Sequence, residues 1–254
     1  DWSSDVCSSD LYDWLHRERM LIGDEAVERL KNSGVMIFGV GGVGGFVLEG
    51  LVRAGVGRIV VVDNDKVAET NLNRQIIADI TTVGRSKTEV ACERAKKINP
   101  EIYISGLEVF AGAGNIDSLI DGAAPDFIVD AIDTVTAKIA IIKAAKARNI
   151  PIISSMGTGA KLDPTKFRIC DISKTHTCPL AKVMRLKLRE NGINHCDVLF
   201  SDELPVKALT ASELEGKTVR NIPGSISFVP SVAGLIIAGE VVRRLSAAEE
   251  TDER

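Results

Sequence analysis

The chain has 254 residues, 45% of them hydrophobic, enough for one large core or two small ones. Its net charge of −4 and pI near 5.5 exclude a global basic field for nucleic acid, though not an RNA met through a local patch. No apolar run reaches the roughly 18 residues of a membrane span, and the cysteines (Cys7, Cys92, Cys170, Cys178, Cys196) contain no C-x-x-C pair for a four-cysteine zinc site, their scatter fitting reduced, cytosolic thiols.

Residues 1–11 have no helical or strand period. They resemble the translation of a sequencing-library adapter, so they are set aside with Cys7, and Asp1 is not taken as the native start. Residues 12–254 are expected to form a single domain, with a nucleotide-binding half (12–155) and a substrate and dimer half (156–254). Residues 12–31 read as a helical lead-in, interrupted at Gly23-Asp24, with Asp24 expected as an N-cap.

Next comes the run Val35-Met36-Ile37-Phe38, then Gly39-Val40-Gly41-Gly42-Val43-Gly44-Gly45, then a helical pattern through Val52. Strand, glycine turn and helix is the setting in which G-x-G-x-x-G carries weight. Gly39 permits the tight turn, Gly41 lets backbone approach a phosphate, and Gly44 lets helix and strand pack closely. The helix N-terminus then offers free amides and a positive dipole end to an anion.

A second buried strand spans 58–63 and ends on Asp63. Residues 64–87 are polar and irregular. A helix over 87–99, a strand over 102–109, a short helix over 116–120 and a strand over 127–133 follow. The last ends on Asp130 and Asp133. A helix over 137–148 and a strand over 150–154 complete an alternation that predicts a doubly wound, mostly parallel (Rossmann-like) α/β sheet with helices on both faces and a C-terminal extension. Beyond Ser155 a loop leads to a strand over 167–172. A basic amphipathic helix over 179–189, a strand over 197–201 and a pattern-poor, mobile loop over 207–217 follow. The chain closes with a core-facing helix over 229–242 and a charged tail over 249–254.

Asp63 lies about 20 residues beyond the glycine turn, where an acid accepts hydrogen bonds from ribose hydroxyls. That alone fits NAD as well as ATP. Asn71, Arg74 and Lys87 follow it, and two cations there suit a polyphosphate better than a dinucleotide. Asp130 or Asp133 sits where a carboxylate holds Mg²⁺ against phosphates, with Asp133 preferred as the one farther out. Arg74, Lys87 and Asp133 are therefore the candidate catalytic residues.

The motifs Asp63-Asn64-Asp65-Lys66-Val67, Asn71-Leu72-Asn73-Arg74-Gln75, Val83-Gly84-Arg85-Ser86-Lys87 and Asp130-Ala131-Ile132-Asp133 resemble the ubiquitin-activating-enzyme superfamily, which attaches AMP to carboxylates. The resemblance implies that Gly39, Gly41, Gly42, Gly44, Asp63, Asp65, Asn71, Arg74 and Lys87 hold ATP, with Asp133 on magnesium. It also implies a homodimer in which Arg17 reaches the partner subunit's ATP site. The second-half motifs Ser154-Ser155-Met156-Gly157, 163–167, 171–177 and 228–235 are similar to the tRNA threonylcarbamoyladenosine dehydratase branch. That branch implies ATP-dependent ring closure of the modified adenosine in tRNA through an acyl-adenylate, and leaves open a sulfur-transfer or carrier-protein partner. Two rivals stand: an adenylyltransferase for the C-terminal carboxylate of a sulfur-carrier or ubiquitin-like protein, and an NAD-dependent oxidoreductase. A nucleotide-binding scaffold without activity is a third.

His176, Lys182 and Arg185 are the candidate substrate-facing residues. Lys182, Arg185, Lys187 and Arg189 form a basic stripe that reads either as RNA-facing or as a solvated helix face. Cys178 departs from the Asp expected in several relatives and is expected to be a neutral substitution rather than a reactive thiol.

Overall fold

In this computed structural model, residues 14–206 and 223–248 are described. The adapter-like segment, the loop expected over 207–217 and the charged tail lie outside them. In chain order the elements are α1 (His16–Ile22), α2 (Asp24–Asn32), β1 (Gly34–Phe38), α3 (Gly44–Arg53), β2 (Arg58–Val62), α4 (Lys87–Ile98), β3 (Tyr103–Leu107), α5 (Ile116–Ala123), β4 (Phe127–Asp130), α6 (Val135–Ala147), β5 (Ile152–Ser155), β6 (Phe167–Asp171), α7 (Pro179–Glu190), β7 (Asp197–Ser201) and α8 (Phe228–Ser246).

The strands form one seven-stranded sheet in the order β3-β2-β1-β4-β5-β7-β6. All neighbours are parallel except β6 and β7. Alternate side chains of each inner strand enter cores on opposite faces, as a period of two requires. Val35 and Ile37 join Val47, Leu51 and Ile237 on the face covered by α3, α4 and α8. Met36 and Phe38 join Ile120, Ile141 and Met184 on the face covered by α5, α6 and α7. The doubly wound architecture is therefore the one the alternation predicts. Its switch point lies between β1 and β4, because β1 pairs with β2 on one side and β4 on the other. In open α/β sheets, ligands bind beyond the strand ends at such a point.

Helix α8 packs against α3 at close range. A Cβ on Gly234 would stand 2.4 Å from the Val43 carbonyl oxygen, so only glycine fits. One turn earlier, Pro230 reaches the glycine turn itself, 3.2 Å from where a Gly42 Cβ would be.

Two expectations are corrected. Asp24 is the first residue of α2, and Gly23 is its N-cap; the Asp24 carboxylate instead takes a hydrogen bond from Arg19 Nη1. On the lead-in helices Val27 and Leu30 are fully buried, while Leu21 and Ile22 are exposed. The strand predicted over 127–133 stops at Asp130. There the Asp130 carboxylate accepts the Ile132 N–H and draws the chain out of the sheet.

Candidate nucleotide-binding site

The glycine turn leaves β1 with Gly39 at φ +86°, a left-handed conformation that costs a side chain strain. A Cβ on Gly44 would lie 1.8 Å from the Gly39 carbonyl oxygen, so the turn closes only on glycine. Helix α3 starts at Gly44, where the Gly45 N–H donates to the Gly41 carbonyl and the Phe46 and Val47 N–H groups share the Val43 carbonyl. Asp63, just past β2, fixes this geometry. Its Oδ2 accepts the Val40 N–H at 2.8 Å and its Oδ1 the Asp65 N–H at 2.9 Å.

A cleft of roughly 500 Å³ opens at the switch point. The glycine turn, Asp63 and Asp65 line one side; Asn71, Arg74, Gln75 and Lys87 line another. Ala131, Ile132, Asp133 and Thr134 face them from beyond β4. Every residue of this chain expected on the nucleotide thus borders one space, apart from Gly44, which lies behind the turn, and Arg17, which is exposed on α1.

Lys87 begins α4 and is 6% exposed. Its Nζ donates to Asp65 Oδ2 at 2.8 Å, while 60% of the Asp65 side chain faces solvent. Asn71 is buried, and its Oδ1 accepts the Ala68 N–H, which leaves the amide NH₂ to donate. Arg74 uses Nη1 to donate to the Thr70 carbonyl and to Asn73 Oδ1. Asn73 in turn donates to the Ser225 carbonyl, tying this loop to the segment before α8.

Asp130 lies beneath the facing loop and is not free for a metal. Its carboxylate is fully buried, 2.9 Å from Lys138 Nζ, and accepts Ser154 Oγ–H at 2.6 Å. Lys138 also donates to the Ile132 carbonyl at 3.0 Å. This pair sets the course of Ala131-Ile132 and leaves Asp133 exposed at the cleft. The described residues hold no group of three or more His, Cys, Asp or Glu side chains arranged for a metal. A single open carboxylate fits Mg²⁺, which takes one or two carboxylates plus substrate phosphates.

The sequence reading missed several cleft residues. Gln75 is 6% exposed, and its Oε1 has no hydrogen-bond partner. Gln75 stood inside the motif but had no chemistry assigned. Phe110 lies exposed on the cleft beyond β3, while Thr158 and Ser225 come from the far half of the chain with no local signal, and Pro230 stood inside the 228–235 motif with no role assigned. The orphaned Gln75 oxygen, the glycine turn and the converging donors fit an adenine nucleotide polyphosphate.

The substrate-facing candidates do not border this cleft. Arg185 is half-buried, and its Nη1 donates to the Thr175 carbonyl and to Thr175 Oγ1, so it tethers a loop. Lys187 pairs with Glu190. Lys182 and Arg189 are exposed on α7. Cys178, the N-cap of α7, is 3% exposed. Burial pushes the Cys196 thiol up to about 12, and burial likewise raises Cys92 and Cys170. Under α3, burial alone would raise the Glu49 carboxyl, but hydrogen bonds from Arg94 and Arg53 prevail and hold it below the usual range.

The ThiF family model matches residues 15–254. The chain belongs to the ThiF family. A tRNA threonylcarbamoyladenosine dehydratase of Bacillus subtilis is similar to this ThiF-family chain, 46% identical over 237 residues that cover 90% of this chain and 93% of that protein. The crystal structure of E. coli tRNA N6-threonylcarbamoyladenosine dehydratase in complex with AMP superposes with a TM-score of 0.83 at 28% identity, covering 96% of this chain and 97% of that one. A sulfur carrier protein adenylyltransferase of Thermus thermophilus, 35% identical, aligns over 56% of this chain and 52% of its own length.

Proposed function

We propose that this chain is an ATP-dependent tRNA threonylcarbamoyladenosine dehydratase. The observation that carries the reading is the convergence of Asp63, Asn71, Arg74, Lys87 and Asp133 on one cleft beside the glycine turn. The similarity to the Bacillus enzyme spans both halves of the chain, whereas the carrier-protein adenylyltransferase matches little more than half, which favours the tRNA reaction. An E. coli relative has also been crystallised with ATP.

The chemistry follows from the groups present. Asp63 faces the ribose. Lys87 and Arg74 neutralise the phosphates and the Asn71 amide donates to them, so the threonine carboxylate of the modified adenosine can attack the α-phosphate to give an acyl-adenylate. Fixed charge aimed at that phosphorus is the protein's main contribution. Magnesium held by Asp133 would supply further positive charge there. The substrate's urea group then closes the ring, and closure within one molecule needs little beyond positioning.

The functional unit is a homodimer in which Arg17 enters the partner subunit's cleft. Met20 and Leu21 on α1, Ile80 in the cleft loop and Leu235 on α8 are all exposed apolar side chains that support such an interface. Light scattering at a dimer's mass would support it; a monomer at working concentration would reject it. A sulfur-transfer or carrier protein remains a further partner to test. A cytoplasmic location suits the tRNA substrate and the free thiols, and no helix among the described residues is long and apolar enough to cross a membrane.

The deciding experiment is mass spectrometry of tRNA carrying threonylcarbamoyladenosine after incubation with protein, ATP and Mg²⁺. A nucleoside lighter by one water is expected. Unchanged tRNA, with AMP appearing only on a carrier protein, would overturn the reading.

A further inference from the structure

Ring closure releases a proton that the nucleotide cleft is poorly equipped to take. A bond forms between the urea group and the acyl carbon, the bond from that carbon to the bridging oxygen breaks, and AMP leaves with that oxygen and the electron pair. Whichever urea atom attacks, one urea N–H proton must depart. Lys87 and Arg74 are cations. Asp63 already accepts two backbone amides, Asp65 is paired with Lys87, and the open carboxylate of Asp133 is the one assigned to magnesium above.

A second polar cluster lies along the same edge of the sheet. His176 Nε2 stands 3.2 Å from Asp202 Oδ1, and its Nδ1 lies 2.8 Å from Thr177 Oγ1. Arg168 on β6 pairs with Asp202 Oδ2. The Asp202 side chain is 18% exposed, and its Oδ1 is buried without a formed hydrogen bond, the imidazole being near but misaligned. Such misalignment is common at catalytic pairs before substrate arrives. The ring packs edge-on against Phe200 at 5.3 Å. Thr177 holds φ +62°, a left-handed conformation rare for a β-branched residue and typical of strained functional sites.

The cluster is linked to the cleft through the loop after β5. The Met156 N–H donates to the Leu199 carbonyl, joining the loop after β5 to β7. A Cβ on Gly157 would contact Cys178 Sγ at 3.8 Å, and the next residue, Thr158, lines the cleft.

We propose that His176, oriented by Asp202, accepts the proton released as the ring closes; this rests on the dehydratase reading above. Donation of Nε2–H to Asp202 leaves the lone pair on Nδ1, where the Thr177 hydroxyl now sits. The urea N–H takes the place of that hydroxyl. Among the described residues, the Asp202 carboxylate, itself paired with Arg168, the Thr177 hydroxyl and the Phe200 ring contact the imidazole.

Single-turnover assays on tRNA carrying threonylcarbamoyladenosine test this by following pyrophosphate exchange and cyclised nucleoside separately. In His176→Gln, closure slows by about 10²-fold or more while exchange stays within about twofold of wild type, so adenylated tRNA accumulates. Wild-type closure rises with pH through the histidine range and levels off; His176→Gln loses that step. Asp202→Asn also slows closure while exchange stays near wild type, because the ring loses the carboxylate that orients it. Parallel loss of exchange and closure would make His176 a loop-ordering residue and overturn the proposal. Unchanged closure, or a pH step surviving in His176→Gln, would also overturn it. If the wild-type chain forms no cyclised nucleoside, the dehydratase reading has failed and the proposal falls with it.

Discussion

Two lysine–aspartate pairs support opposite walls of the cleft, at 2.8 Å for Lys87–Asp65 and 2.9 Å for Lys138–Asp130. Their chemistry is the same and their surroundings differ. Lys138 and Asp130 are both fully buried, with Ser154 and the Ile132 carbonyl completing their hydrogen bonds. Neither partner has water to retreat to. Asp65, by contrast, is 60% exposed while Lys87 is 7% exposed. Its carboxylate can turn to solvent and yield the ammonium group to a phosphate. Burial of the acid decides whether such a pair is a fixed strut or a replaceable counter-ion.

Breaking the strut should have the largest effect. Lys138→Met leaves an uncompensated buried carboxylate and should cost about 3–5 kcal/mol in urea unfolding, with Lys138→Met/Asp130→Leu recovering much of it. A loss below about 1 kcal/mol would mean that the pair is solvated and the comparison false. On the other wall, Lys87→Ala should lower kcat/KM by roughly 10²–10³ while unfolding stability changes little. Equal losses of stability would make Lys87 a second strut.

Glu49 gives a pH-dependent intermediate case. It bridges α3 to Arg94 on α4, and Glu49→Gln should cost about 1.5–3 kcal/mol at neutral pH. Its folded pKa lies below the ordinary 4.5. Its contribution is therefore present above that value and is lost as pH falls through the lower folded pKa. The variant should show a shallower loss of stability on acidification; an unchanged acid limb would remove Glu49 from the account. The smallest effect belongs to Cys178→Ser, which should retain most single-turnover activity because the thiol is buried behind Gly157 and outside the cleft lining. Near-total loss would restore a chemical role for the sulfur.

The first half of the site was readable because its signals are local. Glycines 39, 41 and 44 mark a turn, and Asp63 ends an apolar strand. Asn71, Arg74 and Lys87 crowd a polar loop where a buried sheet gives them no other task. Asp133 was reached by position alone. The boundary of β4 was not readable, since Ala131 and Ile132 look like strand residues, and only the Asp130–Lys138 pair turns them aside. Phe110, Thr158 and Ser225 were missed because their place at the cleft depends on long-range packing. Arg185 was read as facing substrate on helical periodicity, which does not report that its guanidinium curls back to Thr175.

Pro230 and Gly234 bring α8 onto the glycine turn. The strand and turn that begin the site leave the ribosome early, and the helix that completes it emerges late. Domains fold largely as units during synthesis, from the N-terminus onward. A growing chain therefore carries an unfinished pocket, and competence to hold nucleotide arrives only once α8 has been made.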